Sequence, residues 1–272
     1  GVDIEALTDN DGNALPIPLQ HNGMGSFEIA PSEKAQKLQA VYEGKKYTFT
    51  LPAPEPEGCS LHLGKTKCGD SLSVSFAAVG LPTTKLLGYT LTSQGHCYVV
   101  DTLTIGTKGR IRAIATADRP TGVYQLTLFD AEGIVYAQRC LFIDNGIPTE
   151  TVSVTTEKAD IRPFDEIRLN LQSAPQSTFS MAVRDAADYG TAYRDDIRTY
   201  MLLSSELKGL IEDPAWYFNR EQTSDYQTSD NSFSKHSSAS LQSVNLKSKK
   251  DALDLLMMVQ GWTRYNWRQM AG

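Results

Sequence analysis

The stretch RPTGVYQLTLFDAEGIVYAQRCLFID, residues 119–144, decides the fold. Pro120 and Gly122 open it. Val123, Gln125, Thr127 and Phe129 then alternate with Tyr124, Leu126 and Leu128. Period-two alternation marks a strand with one buried face, here Tyr124, Leu126 and Leu128. Asp130-Ala131-Glu132-Gly133 supplies a turn in which Gly133 is free to take positive φ. Ile134 to Ile143 returns as a long, apolar-rich strand. The stretch is a β-hairpin of the kind that packs in a sandwich, and it holds no reactive constellation.

The same alternation recurs around it. Leu61 and Leu63, then Leu72, Val74 and Phe76, then Leu87, Tyr89 and Leu91, then Ile111, Ala113 and Ala115 keep period two. Cys97–Asp101 adds a further strand. Turn signals roughly every 8–12 residues give residues 59–145 the pattern of an immunoglobulin-like sandwich. Pro52, Pro54 and Pro56 make 52–58 an extended linker. Ahead of it, residues 1–51 read as a small or partial sandwich whose first strands lie upstream. Its strands are expected around Val2, Ile4 and Ala6, after Gly23-x-Gly25-x-Phe27, and at 38–42 and 47–51. Residues 149–272 read as a third β region. Val152 and Val154, then Ile167, Leu169 and Leu171, then Phe179, Met181 and Val183 predict three strands. Helices are expected near 196–209 and 249–261, the first closed by Gly209, the second capped by Ser248. Between them, 219–248 is rich in Ser, Thr, Asn, Asp and Gln and predicts a flexible loop. The fold class is mainly β: tandem immunoglobulin-like sandwiches with two helices in the C-terminal third.

Composition narrows the function classes. The chain has 272 residues and a net charge of −6, which disfavours nucleic acid as a partner because phosphate binding needs a basic face. No apolar run reaches the roughly 18–20 residues a membrane-spanning helix needs. The opening Gly1-Val2-Asp3-Ile4-Glu5 is acidic and alternating and shows no signal-peptide pattern, so a mature protein or a piece of a longer one is expected, the start almost inside a strand favouring the piece. Cys59, Cys68, Cys97 and Cys140 are dispersed and lack zinc-ligand spacing. Cys97 and Cys140 read as buried thiols, whereas Cys59 and Cys68 could pair across a turn.

Two sets of residues carry a resemblance. Pro120-x-Gly122-x-Tyr124-x-Leu126, then Asp130-x-x-Gly133 and the long return strand, resemble the macroglobulin-like domains of the bacterial α2-macroglobulin family. Gly23-x-Gly25-x-Phe27 before Pro31 is similar to the matching element of a preceding domain. The blocks Tyr200–Phe218 and Leu253–Trp267 resemble large cell-envelope proteins of Bacteroidetes. In these, macroglobulin-like domains precede a region similar to the plug of TonB-dependent receptors. The resemblance implies export, a periplasmic or outer-membrane location, and binding or assembly rather than catalysis. The implied partner is the remainder of the same protein or another envelope protein. The thioester motif Cys-Gly-x-x-Gln of a protease trap is absent, since Cys59 precedes Ser60 and Cys68-Gly69 is followed by Leu72 at the glutamine position.

No catalytic, cofactor-binding or metal-binding residue stands out. His62, His96 and Asp101 could meet in the central domain, but their spacing fits no ligand motif. Asp185, Asp188, Asp195 and Asp196 read as a solvated turn leading to a helix, not a calcium loop. No nucleophile elbow or phosphate loop occurs. The aromatic set Trp216, Tyr217, Phe218, Trp262, Tyr265 and Trp267 has two readings. It fills the seam between the helices, or Trp262, Arg264, Tyr265 and Trp267 form a candidate interface. The expected function is a non-catalytic structural or interaction module of an exported envelope protein. The alternative is a carbohydrate- or peptide-binding module of an outer-membrane uptake system, and a hydrolase is the third reading.

Overall fold

The computed structural model describes residues 2–17, 19–30, 32–64, 71–106, 108–147, 152–157, 162, 164–181, 196–218 and 246–261. The chain divides into two compact units, one of residues 1–145 with 192–272, the other of residues 146–191. The expected third region 149–272 is thus split, its helices packing with the first unit.

In the first unit, β1 (Ala6–Thr8), β4 (Gln36–Tyr42) and β5 (Lys45–Leu51) form a three-stranded antiparallel sheet in the order β1-β4-β5. Between β1 and β4 lies a short hairpin of β2 (Leu19–His21) and β3 (Met24–Gly25). Leu7, Leu38 and Ala40 are the buried centre, with Ile4, Leu15, Ile17, Phe27, Ile29 and Leu51 against them. Leu7 rather than Ala6 points inward, so β1 shows the opposite face from the one its alternation predicts. The strand after Gly23 ends at Gly25, and Phe27 and Ile29 reach the core from irregular chain.

The hairpin of residues 119–144 lies in the sandwich that follows. One sheet has the order β10-β7-β6, from β6 (Gly58–Gly64), β7 (Ser71–Val79) and β10 (Arg110–Ala115). The other has the order β12-β11-β8-β9, from β8 (Leu86–Ser93), β9 (His96–Thr104), β11 (Gly122–Asp130) and β12 (Val135–Ile143). Tyr124, Leu126 and Leu128 of β11 share a core with Val74, Phe76, Leu87, Leu91, Leu141 and Ile143. Ile114 joins this core, while Ile111, Ala113 and Ala115 face outward. The β7 register decides it: Ile114 pairs with Leu72, and Arg112 with the buried Val74.

The hairpin turn closes as its residues dictate. Gly133 has φ 78° and donates its N–H to the Asp130 carbonyl at 3.0 Å. Asp130 Oδ1 accepts from the N–H groups of Glu132 and Ile134, at 3.1 and 2.8 Å, which folds the turn around its own side chain. At the other end Tyr124 Oη donates to the Pro120 carbonyl at 2.8 Å. This four-residue reach back from an early position in the penultimate strand is the tyrosine corner of immunoglobulin-like sandwiches.

The outer face of the hairpin is also buried. Val123 and Cys140 lie under Leu203, Leu207, Ile211, Tyr217, Ala252, Leu253, Leu256 and Met257. That layer comes from α1 (Ile197–Thr199), a π turn (Tyr200–Ser204), a 3-10 turn (Pro214–Tyr217) and α2 (Leu246–Val259). The expected α-helix over 196–209 is therefore broken. Ser205 N–H reaches the Tyr200 carbonyl at 2.8 Å, and Ser205 Oγ bonds the Met201 carbonyl at 3.3 Å. The widened turn seats Leu203 and Leu207 on the sheet and leaves Ile197 and Met201 exposed. α2 starts at Leu246, so Ser248 lies inside its first turn instead of capping it.

In the second unit, β13 (Ser153–Thr156) and β14 (Leu169–Gln172) pair antiparallel. Phe179 and Met181 are not in a strand, contrary to expectation; both are exposed. Val183 and residues 219–245 of the expected loop 219–248 lie outside the described residues, while 246–248 belong to α2 instead of the loop.

Candidate functional site

A partly buried polar cluster sits at the hairpin turn. Lys85, just before β8, donates Nζ to Asp130 Oδ2 at 2.9 Å and to Tyr136 Oη at 2.7 Å. Tyr136 in turn donates to Asp130 Oδ2 at 3.1 Å. Burial alone would raise the Asp130 carboxyl. The bonds from Lys85, the Ile134 N–H and Tyr136 outweigh it and hold the group at about 2. The bonds to Tyr136 and Asp130 push the Lys85 ammonium above its ordinary range. A lysine held so firmly protonated is a clamp rather than a nucleophile. The cluster ties the approach to β8, the turn and β12 together. Sequence pattern alone gives no sign of Lys85, because its partner stands 45 residues away.

The histidine–aspartate grouping does not assemble. His62 lies on β6 in one sheet, and His96 starts β9 in the other. Asp101 accepts from Tyr89 Oη at 3.0 Å and from the Thr102 N–H at 2.8 Å, which lower its carboxyl. Arg112 also favours that charge. Among the described residues no group of three or more His, Cys, Asp or Glu is placed to hold a metal ion. Asp185, Asp188 and Asp195 lie outside the described residues. Asp196 caps α1, its Oδ1 accepting from the Thr199 N–H at 2.7 Å.

The described aromatics of the C-terminal third fill the helical seam. Trp216 stacks on His21 at 3.6 Å and 9°, and Tyr217 meets both rings edge-on. Lys249 Nζ lies 5.0 Å from the centre of the Trp216 ring, joining α2 to the stack. Phe218 packs on Phe142 of β12. Arg139 of β12 donates to Asp254 of α2 at 2.8 Å. Burial lowers the His21 imidazole and pushes the Tyr217 hydroxyl up to about 12. The four residues of the candidate interface, Trp262, Arg264, Tyr265 and Trp267, lie outside the described residues.

A recess bounded by Thr92, Ser93, Gly95, Val123, Gln125 and Glu206 has room for roughly one water molecule. On the β13–β14 pair, Val154 stands opposite Leu171 and Thr156 opposite Leu169, while Ser153, Thr155, Asn170 and Gln172 share the other face. Val154 is 55 % exposed and Leu171 37 %. Met258 and Val259 of α2 are exposed as well. No helix among the described residues is long and apolar enough to cross a membrane. No family model matches the chain, and no curated protein is similar enough to count as a match.

Proposed function

We propose that this chain is a non-catalytic structural and interaction module of a larger exported envelope protein, built on macroglobulin-type sandwiches. One observation carries the interaction role: the two-stranded β13–β14 pair sets Val154, Leu169 and Leu171 with Thr156 on one face, and all three apolar side chains are exposed. A two-stranded sheet gains little stability in water by itself. An amphipathic pair of this kind gains most by burying Val154, Leu169 and Leu171 against another surface. The polar groups that look most like chemistry, Lys85, Asp130 and Tyr136, are occupied in holding the sandwich together. The envelope location rests on the resemblance carried by Tyr200–Phe218 and Leu253–Trp267.

A photo-crosslinking residue at Val154, compared with one at Thr155 on the polar face, tests the role in the source cells. Crosslinks from Val154 to an envelope protein, or to the remainder of the same polypeptide, are expected, with few from Thr155. Equal yields from both positions overturn the reading. Fractionation of the same cells tests the location; recovery in the cytosol rules it out.

A further inference from the structure

We propose that β5 is an acceptor edge for one extended strand of another polypeptide, with apolar side chains at alternate positions and carboxylates between them. The inference stands on β5 alone and survives if the β13–β14 reading fails.

β5 ends the sheet β1-β4-β5, so one of its backbone edges has no described strand beside it. Its register against β4 pairs Tyr47 with Ala40 and Phe49 with Leu38. Both β4 residues are buried in the small core, so Tyr47 and Phe49 lie on the core side of the sheet. Yet Tyr47 is 44 % exposed and Phe49 55 %. The core covering stops short of this margin.

The sandwich shows how this chain treats other edges. β9 carries Asp101 opposite the buried Tyr89, and β10 carries Arg112 opposite the buried Val74, so each has a charge on its core-facing side. Inward-facing charges discourage a further strand from adding. β12 is covered instead: β6 lies against it, and Cys59, Leu61 and Leu63 of β6 pack on the shared core. β5 is not covered in this way, and its one charge on the side of the rings, Lys45 opposite Tyr42, stands at the start of the strand, so Tyr47 and Phe49 themselves have neither device beside them. A segment alternating as β6 does would cover the two rings and pair with the free edge, which is β-strand addition.

Charge selects this occupant over a second copy. The segment 36–51 holds Lys37, Lys45 and Lys46 against a single acid, Glu43. Lys46 stands opposite Val41 and Lys37 opposite Thr50, on the side away from the rings. A second copy of β5 would bring two more lysines onto the same ribbon. A strand with carboxylates on that side sets one beside Lys46 of β5, with Lys37 of β4 one strand further in.

The test uses the full chain and three synthetic peptides followed by amide NMR. The first peptide alternates valine and glutamate over seven residues. The second has lysine in place of glutamate. The third has the composition of the first without its alternation. Saturable shifts confined to Tyr47–Leu51 and their β4 partners are expected from the first peptide. Its affinity should be about fivefold above that of the second and should weaken with salt, as exposed cross-strand charge pairs dictate. The third should not bind, and Phe49→Lys should abolish binding of the first. No saturable shift at millimolar peptide overturns the proposal, as does equal binding of the acidic and basic peptides. Sedimentation showing a dimer that Phe49→Lys dissolves also overturns it, because the occupant is then a second copy.

Discussion

Tyr124→Phe removes a single oxygen and tests whether the β10–β11 connection is held by the tyrosine corner. The ring is fully buried in the sandwich core, and burial pushes its hydroxyl up to about 12. That hydroxyl spans from β11 to the Pro120 carbonyl at 2.8 Å. Asn145 clasps the same connection, its Nδ2 donating to the Thr116 and Arg119 carbonyls at 2.6 and 2.7 Å. Phenylalanine keeps the packing and loses only the hydrogen bond, worth about 0.5–1.5 kcal/mol net. Pro120 is exposed, so water can reach the orphaned carbonyl, and the expected loss is about 1 kcal/mol rather than the about 3 of a sealed group. Tyr124→Ala also empties the core and should cost about 3–5 kcal/mol. Urea unfolding followed by circular dichroism measures both. A Tyr124→Phe loss below about 0.3 kcal/mol would show that packing alone holds the corner. A loss equal to that of Tyr124→Ala would show that the hydroxyl organises far more than one loop.

Three further outcomes follow from named contacts. The Asp130 carboxyl at about 2 lies below its ordinary 3.8, so its stabilisation is complete above about pH 4 and drains away as pH falls toward 2. Asp130→Asn should flatten that part of the acid limb when urea midpoints are compared from pH 5 to pH 2, and an unchanged limb contradicts the clamp. A Cβ at Gly88 would stand 2.9 Å from the Phe129 ring, so Gly88→Ala should cost about 1–3 kcal/mol. Phe129→Leu in the same chain should recover part of that loss, and strict additivity of the two changes would refute the contact. Burial pushes the Cys140 thiol up to about 11; partial burial of the sulfur raises the Cys97 thiol too, but Cys97 is an exposed residue, contrary to the expected burial. A thiol reagent at pH 8 should therefore label Cys97 in the native protein and reach Cys140 only on unfolding; prompt labelling of Cys140 would mean that the helical layer opens readily.

The central sandwich was legible because alternation over Leu87–Leu91 and Tyr124–Leu128 leaves only one face to bury. β10 was not, because Ile111 and Ile114 lie on opposite faces and only pairing with β7 chooses between them. Segment 196–209 misled for a related reason. An α-helix and a π turn share the spacing of Tyr200, Leu203 and Leu207, and contact with β11 selects the wider turn. The outer apolar face of the hairpin was visible in Val123, Cys140 and Phe142, but its cover comes from residues distant in sequence. Nothing local marks Lys85 as a partner of Asp130, and the openness of β5 depends on what fails to lie over Tyr47 and Phe49.

The hairpin at 122–143 is a wall between two cores, and synthesis builds the two sides at different times. The sandwich side can close once β12 has emerged. The opposite side begins to be covered by Leu203 and Leu207, roughly 60 residues later, and is completed only by Leu253, Leu256 and Met257, roughly 110 residues later. At ~5–20 residues per second, Val123, Cys140 and Phe142 stay at least partly bare for about 5–20 s on each nascent chain. During that interval the apolar outer face of the hairpin offers a sticky surface to any neighbour. Chaperone demand should therefore follow translation speed through residues 146–257, and slow codons there should lower soluble yield without altering one residue of the finished fold.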